Sequence, residues 1–130
     1  MKNLLFLLLF PILLSAQKTT ELKVDAMSTG TLYTPEKPAN NYIVILVAGS
    51  GPTDRDGNQP ELENNSLKFL AQELSKSGTA VFAYDKQTVV LSRSGAAEQE
   101  SNFKFDSMIF DLSEIVSYFR AEQPYKKIII

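Results

Sequence analysis

Between Tyr42 and Ala48 every side chain is apolar, Ile and Val dominate, and turn formers bound the run at Asn40, Asn41 and Gly49. A run this short, β-branched and unbroken predicts a strand buried on both faces, as in a parallel sheet. Upstream, Leu22, Val24 and Ala26 alternate with Glu21, Lys23 and Asp25, the period of a half-buried strand. Ser28-Thr29-Gly30 is expected to turn that strand and Thr31 to Thr34 to return antiparallel, after which Pro35 to Asn41 is a polar connection. Downstream, Leu67, Leu70, Ala71 and Leu74 recur at helical spacing behind a cap at Asn65 or Ser66, with Lys76 and Gly78 as stop signals. Thr79 to Tyr84 is a second apolar run, so strand, helix and strand form a βαβ unit.

Gln87 to Asn102 carries no period and is expected to be irregular, with a small acidic patch at Glu98 and Glu100. Phe105, Met108, Ile109, Leu112, Ile115, Val116 and Phe119 then hold one stripe of a longer helix. Asp106 and Asp111 lie toward its start, where the macrodipole favours carboxylates, and Pro124 closes it. Lys126 to Ile130 predicts one more parallel strand. The expected fold class is therefore α/β: an N-terminal antiparallel hairpin followed by parallel βαβαβ strands in an incomplete sheet. A buried strand ending on Ile128, Ile129 and Ile130 would leave a sheet edge and an apolar face uncovered. That predicts a truncated chain, the N-terminal part of a larger domain.

Composition changes this picture at the N-terminus. Met1 to Ala16 has a charged start at Lys2, an apolar run from Leu4 to Leu14 interrupted by Pro11, and small residues before Gln17. These are the parts of a secretory signal peptide cleaved after Ala16, so residues 17–130 form the expected domain and the mature chain is exported to the periplasm or medium, with no membrane attachment. The 130 residues contain no cysteine, which excludes a disulfide framework and a cysteine-borne lipid anchor. With 13 basic against 15 acidic side chains, and the basic ones scattered, nothing in the charge pattern suits nucleic acid. The chain contains no histidine.

The candidate chemistry follows the Tyr42 to Ala48 strand. Gly49-Ser50-Gly51-Pro52 stands where an α/β sheet presents free backbone N–H groups, and no Cβ on the glycines blocks a ligand. Asp54, Arg55 and Asp56 are read either as braces of that loop, by ion pairing and hydrogen bonds to backbone amides, or as substrate contacts. Asp54, Asp56 and Asn58 at alternate positions suggest calcium, but Gln59 replaces the required glycine and Asn65 the bidentate glutamate, so no metal is expected. A dinucleotide site is the less favoured alternative, since Asp54 stands where the third glycine belongs and would repel a pyrophosphate. No Gly-Lys-Ser/Thr follows, which excludes a P-loop. Ser92 and Ser94 are read as solvated loop serines, because no histidine exists to activate them.

The order of hairpin, strand ending in AGSGPTDRDGN, helix, strand ending in YDK, long amphipathic helix and apolar strand resembles the N-terminal half of exported bacterial α/β-hydrolases of the serine-hydrolase superfamily. In that family a nucleophile elbow, Gly-x-Ser-x-Gly, follows the strand that matches Lys126 to Ile130, so here it would lie beyond the last residue. The resemblance implies that Ser50 supplies an oxyanion-hole backbone N–H, with Gly51 as the neighbouring possibility. It further implies that Asp85 braces the turn, together with Gly49, Asp54, Arg55 and Asp56. Gln87-Thr88-Val89-Val90 departs from the family's Arg-Gly-x-Gly. The implied activity is cofactor-free hydrolysis of a small ester, acyl or peptide-like substrate by the full-length protein. The 130-residue chain, lacking nucleophile and histidine, is expected to be inactive, and an inert remnant is the competing reading.

Overall fold

The structure, a computed structural model, describes residues 17–26, 28–95, 105–121 and 125–130. The expected signal peptide, the Glu98 and Glu100 patch and Pro124 fall outside those residues. Five strands form one mixed sheet: β1 (Lys18–Lys23), β2 (Thr29–Thr34), β3 (Tyr42–Leu46), β4 (Ala80–Tyr84) and β5 (Lys127–Ile129). Three helices accompany them: α1 (Ser66–Lys76), α2 (Gln87–Arg93) and α3 (Phe105–Ala121). The spatial order is β1-β2-β4-β3-β5. β1 and β2 pair antiparallel and β2 joins β4 antiparallel, whereas β3 lies parallel to both β4 and β5. This is an α/β arrangement.

Alternation along the two central strands divides the core into two layers. Ile43 and Ile45 of β3, with Ala80, Phe82 and Tyr84 of β4, face α3 and pack on its Ile115 and Phe119. The Phe119 ring meets Phe82 edge-on at 5.1 Å between centroids. On the opposite face Val81 and Ala83 pack with Tyr33 and with Ala71 of α1, flanked by Val44, Leu46 and Leu74. Helices α1 and α3 therefore cover opposite faces. The chain leaves β3 toward one face and leaves its neighbour β4 toward the other, which opens a crevice above their carboxyl ends.

Helix α1 stops as its sequence indicates. Gly78 takes a φ of 95°, its amide donates to the Ser75 carbonyl at 3.0 Å, and the Thr79 amide reaches the Leu74 carbonyl at 3.1 Å. This is the Schellman pairing, which satisfies the last carbonyls of the helix. Its start differs from expectation. Asn65 is left-handed with a φ of 53°, and no side-chain cap bond forms there. The carbonyl of Asp56 accepts instead from the amides of Leu67 and Lys68, at 3.1 and 3.2 Å, so the long loop itself caps the helix.

Four further expectations need correction. Gly30 is not in a turn: β2 begins at Thr29, and Gly30 lies opposite Leu22 and Tyr84 in the sheet. A Cβ there would stand 2.5 Å from the Ala83 carbonyl and 2.6 Å from the Phe82 ring, so the glycine records close packing. The tight turn between β1 and β2 is closed instead by the Val24 amide on the Ser28 carbonyl. Gln87 to Arg93 is helical rather than irregular, anchored by buried Val89 and by Arg93 one turn later. Leu70 is exposed on α1, and Phe105 and Ile109 are exposed on α3, whereas Asp111 is 5 % exposed and faces inward. The inward face of α3 therefore includes Asp111, whose carboxyl accepts a hydrogen bond from Gln87 Nε2 at 2.7 Å.

Candidate functional site

The glycine turn leaves the end of β3 and stands open. An added Cβ at Gly49 or Gly51 would meet nothing within 4 Å, and Gly51 has a φ of 78°, a left-handed conformation that favours glycine. Ser50 and Gly51 are exposed. None of the hydrogen bonds among the described residues takes the amide of either, while the Ser50 carbonyl accepts from Thr53 Oγ1 at 3.3 Å. The turn thus presents unpaired main-chain donors above the parallel strands.

Below the turn lies a group that the sequence reading did not single out. Lys86, directly after Asp85 at the end of β4, is 3 % exposed. Its Nζ donates to the carbonyl of Gly49 and, at 2.8 Å, to the carbonyl of Gly51. Burial pushes its pKa below the usual lysine range. A buried ammonium requires acceptors, and here the glycine turn supplies them. The one signal in the sequence was a lysine placed two residues after an apolar strand, a position that could equally have been solvated.

The Asp54 to Asn58 loop is fastened residue by residue. Asp54 Oδ1 accepts from the amides of Asp56 and Asn58 at 3.0 and 2.8 Å, an Asx-type turn. The Arg55 amide and Nε donate to Asp85 Oδ1 and Oδ2 at 2.9 and 3.1 Å. Arg55 Nη1 extends the chain of contacts to Glu21 Oε1 at 2.8 Å and Thr31 Oγ1 at 3.2 Å. Burial lowers the Arg55 pKa, but the hydrogen bond it donates to Glu21 and the charge of Asp85 outweigh it, so the net shift is upward. Asp56 contributes its carbonyl to α1, as above. Gly57 takes a φ of 93° where a Cβ would stand 2.5 Å from Ser66 Oγ. Asn58 Oδ1 accepts from the amides of Asn64 and Asn65 at 2.9 and 2.8 Å.

Asp85 is the centre of this arrangement. It is 4 % exposed, and its Oδ2 also accepts from Arg93 Nη1 at 2.8 Å. Arg93 Nη2 reaches Asp54 Oδ2 at 2.9 Å, so α2 is tied both to the strand end and to the loop. Arg93 and Glu21 were not anticipated, since their roles depend on α2 reaching the Asp85 carboxylate and on the hairpin reaching the Arg55 guanidinium. Asp54, Arg55 and Asp85 thus connect the loop after β3 to the end of β4 and to α2.

Ser92 lines a cleft of about 320 Å³ between Pro52, Asn58, Gln59, Pro60 and α2. Ser94 Oγ donates to the Leu91 carbonyl at 2.9 Å at the exposed end of α2. Asp54 lines the same cleft as Ser92, but its carboxylate is engaged by the amides of Asp56 and Asn58 and by Arg93, and the chain has no histidine. Among the described residues no cluster of three or more acidic side chains could hold a metal ion, and no helix is long and apolar enough to cross a membrane.

Comparison with protein-family models, with curated proteins and with solved structures gives no match for this chain, so its relationships rest on the residues described above.

Proposed function

We propose that these residues are the N-terminal part of an exported serine hydrolase of the α/β-hydrolase type, acting on ester or small acyl or peptide-like bonds, and that their contribution to catalysis is the oxyanion loop at Ser50 and Gly51. The observation that carries this reading is the exposed pair of amides at the end of a parallel strand, with open space beside both flanking glycines and a braced loop behind. Main-chain donors fixed before reaction stabilise an acyl oxyanion with little reorganisation, and one such donor is worth about 3 to 4 kcal/mol in the transition state. The serine nucleophile, the histidine base and its acidic partner come from outside the 130 residues, since attack by serine requires a proton acceptor and no histidine is present. Export rests on the composition of Met1 to Ala16.

Two measurements test the reading. The gene is expected to continue in frame past Ile130 into Gly-x-Ser-x-Gly within about ten residues. A fluorophosphonate reagent is expected to label that longer product and to leave the 130-residue chain untouched. A frame that stops at Ile130 or lacks the elbow overturns the assignment, and labelling of Ser50, Ser92 or Ser94 in the short chain overturns the division of labour.

A further inference from the structure

We infer that Lys86 is a positioning residue for the oxyanion loop: by holding the carbonyls of Gly49 and Gly51 it turns the Gly49-Ser50 peptide so that the amide of Ser50, rather than that of Gly51, is the donor presented outward. The inference rests on the reading of the glycine turn as an oxyanion loop and adds which donor is used and what orients it.

The described residues contain no cis peptide bond. In a trans peptide the carbonyl of one residue and the amide of the next point in opposite directions across the same plane. Lys86 Nζ takes the Gly49 carbonyl, so the N–H of Ser50 is directed away from Lys86, in an exposed turn where a Cβ added at Gly49 would meet nothing within 4 Å. The second carbonyl it holds, that of Gly51, belongs to the peptide preceding Pro52, which has no N–H to offer. The peptide between them is controlled differently. Its carbonyl, on Ser50, accepts from Thr53 Oγ1, so the Gly51 amide is set by a neutral hydroxyl at 3.3 Å in the exposed turn and not by the buried cation.

Charge strengthens the same arrangement. An ammonium at the carbonyl end of the Gly49-Ser50 peptide polarises it, and the N–H at the other end becomes a better donor. Lys86 is 3 % exposed, so solvent does little to screen this polarisation. Asp85, its chain neighbour, is already engaged by Arg55 and Arg93, which leaves the ammonium to the turn. Lys86 does not touch the reacting atoms and acts only through the peptide it holds.

Nuclear magnetic resonance of the isotope-labelled 130-residue chain tests the geometry without any activity. In the unaltered chain, scalar couplings across hydrogen bonds are expected between Lys86 Nζ and the carbonyl carbons of Gly49 and Gly51, and none to that of Ser50. In Lys86→Met, which keeps the length and removes the charge, the Gly49 and Gly51 carbonyl resonances and the Ser50 amide should shift while the Ser50 carbonyl stays in place. If Lys86→Met does not fold, the couplings in the unaltered chain decide alone. In the longer product carrying the elbow, Lys86→Met should lower kcat by about 100-fold, the scale of one lost oxyanion donor, with KM nearly unchanged. Absent couplings, or a kcat that survives Lys86→Met, overturn the inference while leaving the hydrolase reading intact. Couplings present in a longer product that neither hydrolyses esters nor reacts with fluorophosphonate overturn the hydrolase reading, and the oxyanion role of Lys86 with it.

Discussion

Asp85→Ala should be the most costly single change among the residues that fasten the loop after β3, and the contacts allow its size to be worked out. Three hydrogen bonds end on this carboxylate, from the Arg55 amide, Arg55 Nε and Arg93 Nη1. The Arg55 amide would be left without an acceptor in a partly buried place, at about 2 kcal/mol. Arg55 Nε would lose a charge-assisted bond, but the guanidinium keeps Glu21, so this adds only about 1 kcal/mol. The Arg93 side chain is 56 % exposed and rehydrates, which makes its loss close to neutral. The total is about 3 kcal/mol, which for a domain of this size lowers Tm by roughly 10 °C. Asp85→Asn, which keeps an oxygen for the Arg55 amide, should cost about half as much. Urea unfolding followed by circular dichroism gives the values, and a double-mutant cycle apportions them: strong coupling with Arg55→Ala, weak coupling with Arg93→Ala. A loss below about 1 kcal/mol for Asp85→Ala, or an equal loss for Arg93→Ala, would refute the view that a buried carboxylate fastens the loop.

Three other outcomes follow from particular positions. Gly30→Ala should destabilise by about 3 kcal/mol, because the new methyl meets the Ala83 carbonyl and the Phe82 ring rather than a mobile side-chain end; chemical denaturation with an unchanged m-value checks it. Burial, aided by the charge of Asp111, pushes the Tyr84 phenol up to about 12 from 10.0, so its share of stability is full below pH 10 and is lost as pH rises through the folded value. Burial also raises Tyr33 and Tyr125, so phenolate absorbance should show several late-ionising tyrosines, of which the one at about 12 disappears in Tyr84→Phe; titration of Tyr84 near 10 would refute its burial. Burial likewise raises the Asp111 carboxyl above its ordinary 3.8, with the Gln87 hydrogen bond opposing and Asp25 reinforcing the shift. Its contribution is thus present below 3.8 and lost as pH rises through the raised value, so Asp111→Asn should be the more stable form at neutral pH, with an advantage that shrinks as pH falls through that value, as thermal melts across the range would report.

Local pattern alone determined most of the elements. A β-branched run between turn formers gives β3, a helical stripe ending in Lys76 and Gly78 gives α1, and the direct succession of a second apolar run makes β4 parallel to β3, because these signals depend on neighbours in sequence. The glycine turn was legible as an opening in the backbone for the same reason. Contacts between distant residues were not. Gly30 carries the same sequence signal in a turn and in a crowded strand, and only the approach of β4 separates the two. Arg93, Glu21 and Lys86 look like ordinary solvated charges until the sheet order brings their groups to Asp85, Arg55 and the Gly49 carbonyl, and the burial of Asp111 on α3 comes with a hydrogen bond from Gln87 across the crossover. Tertiary structure decided these because the free energy of a charge depends on what surrounds it, and its surroundings here come from opposite ends of the chain.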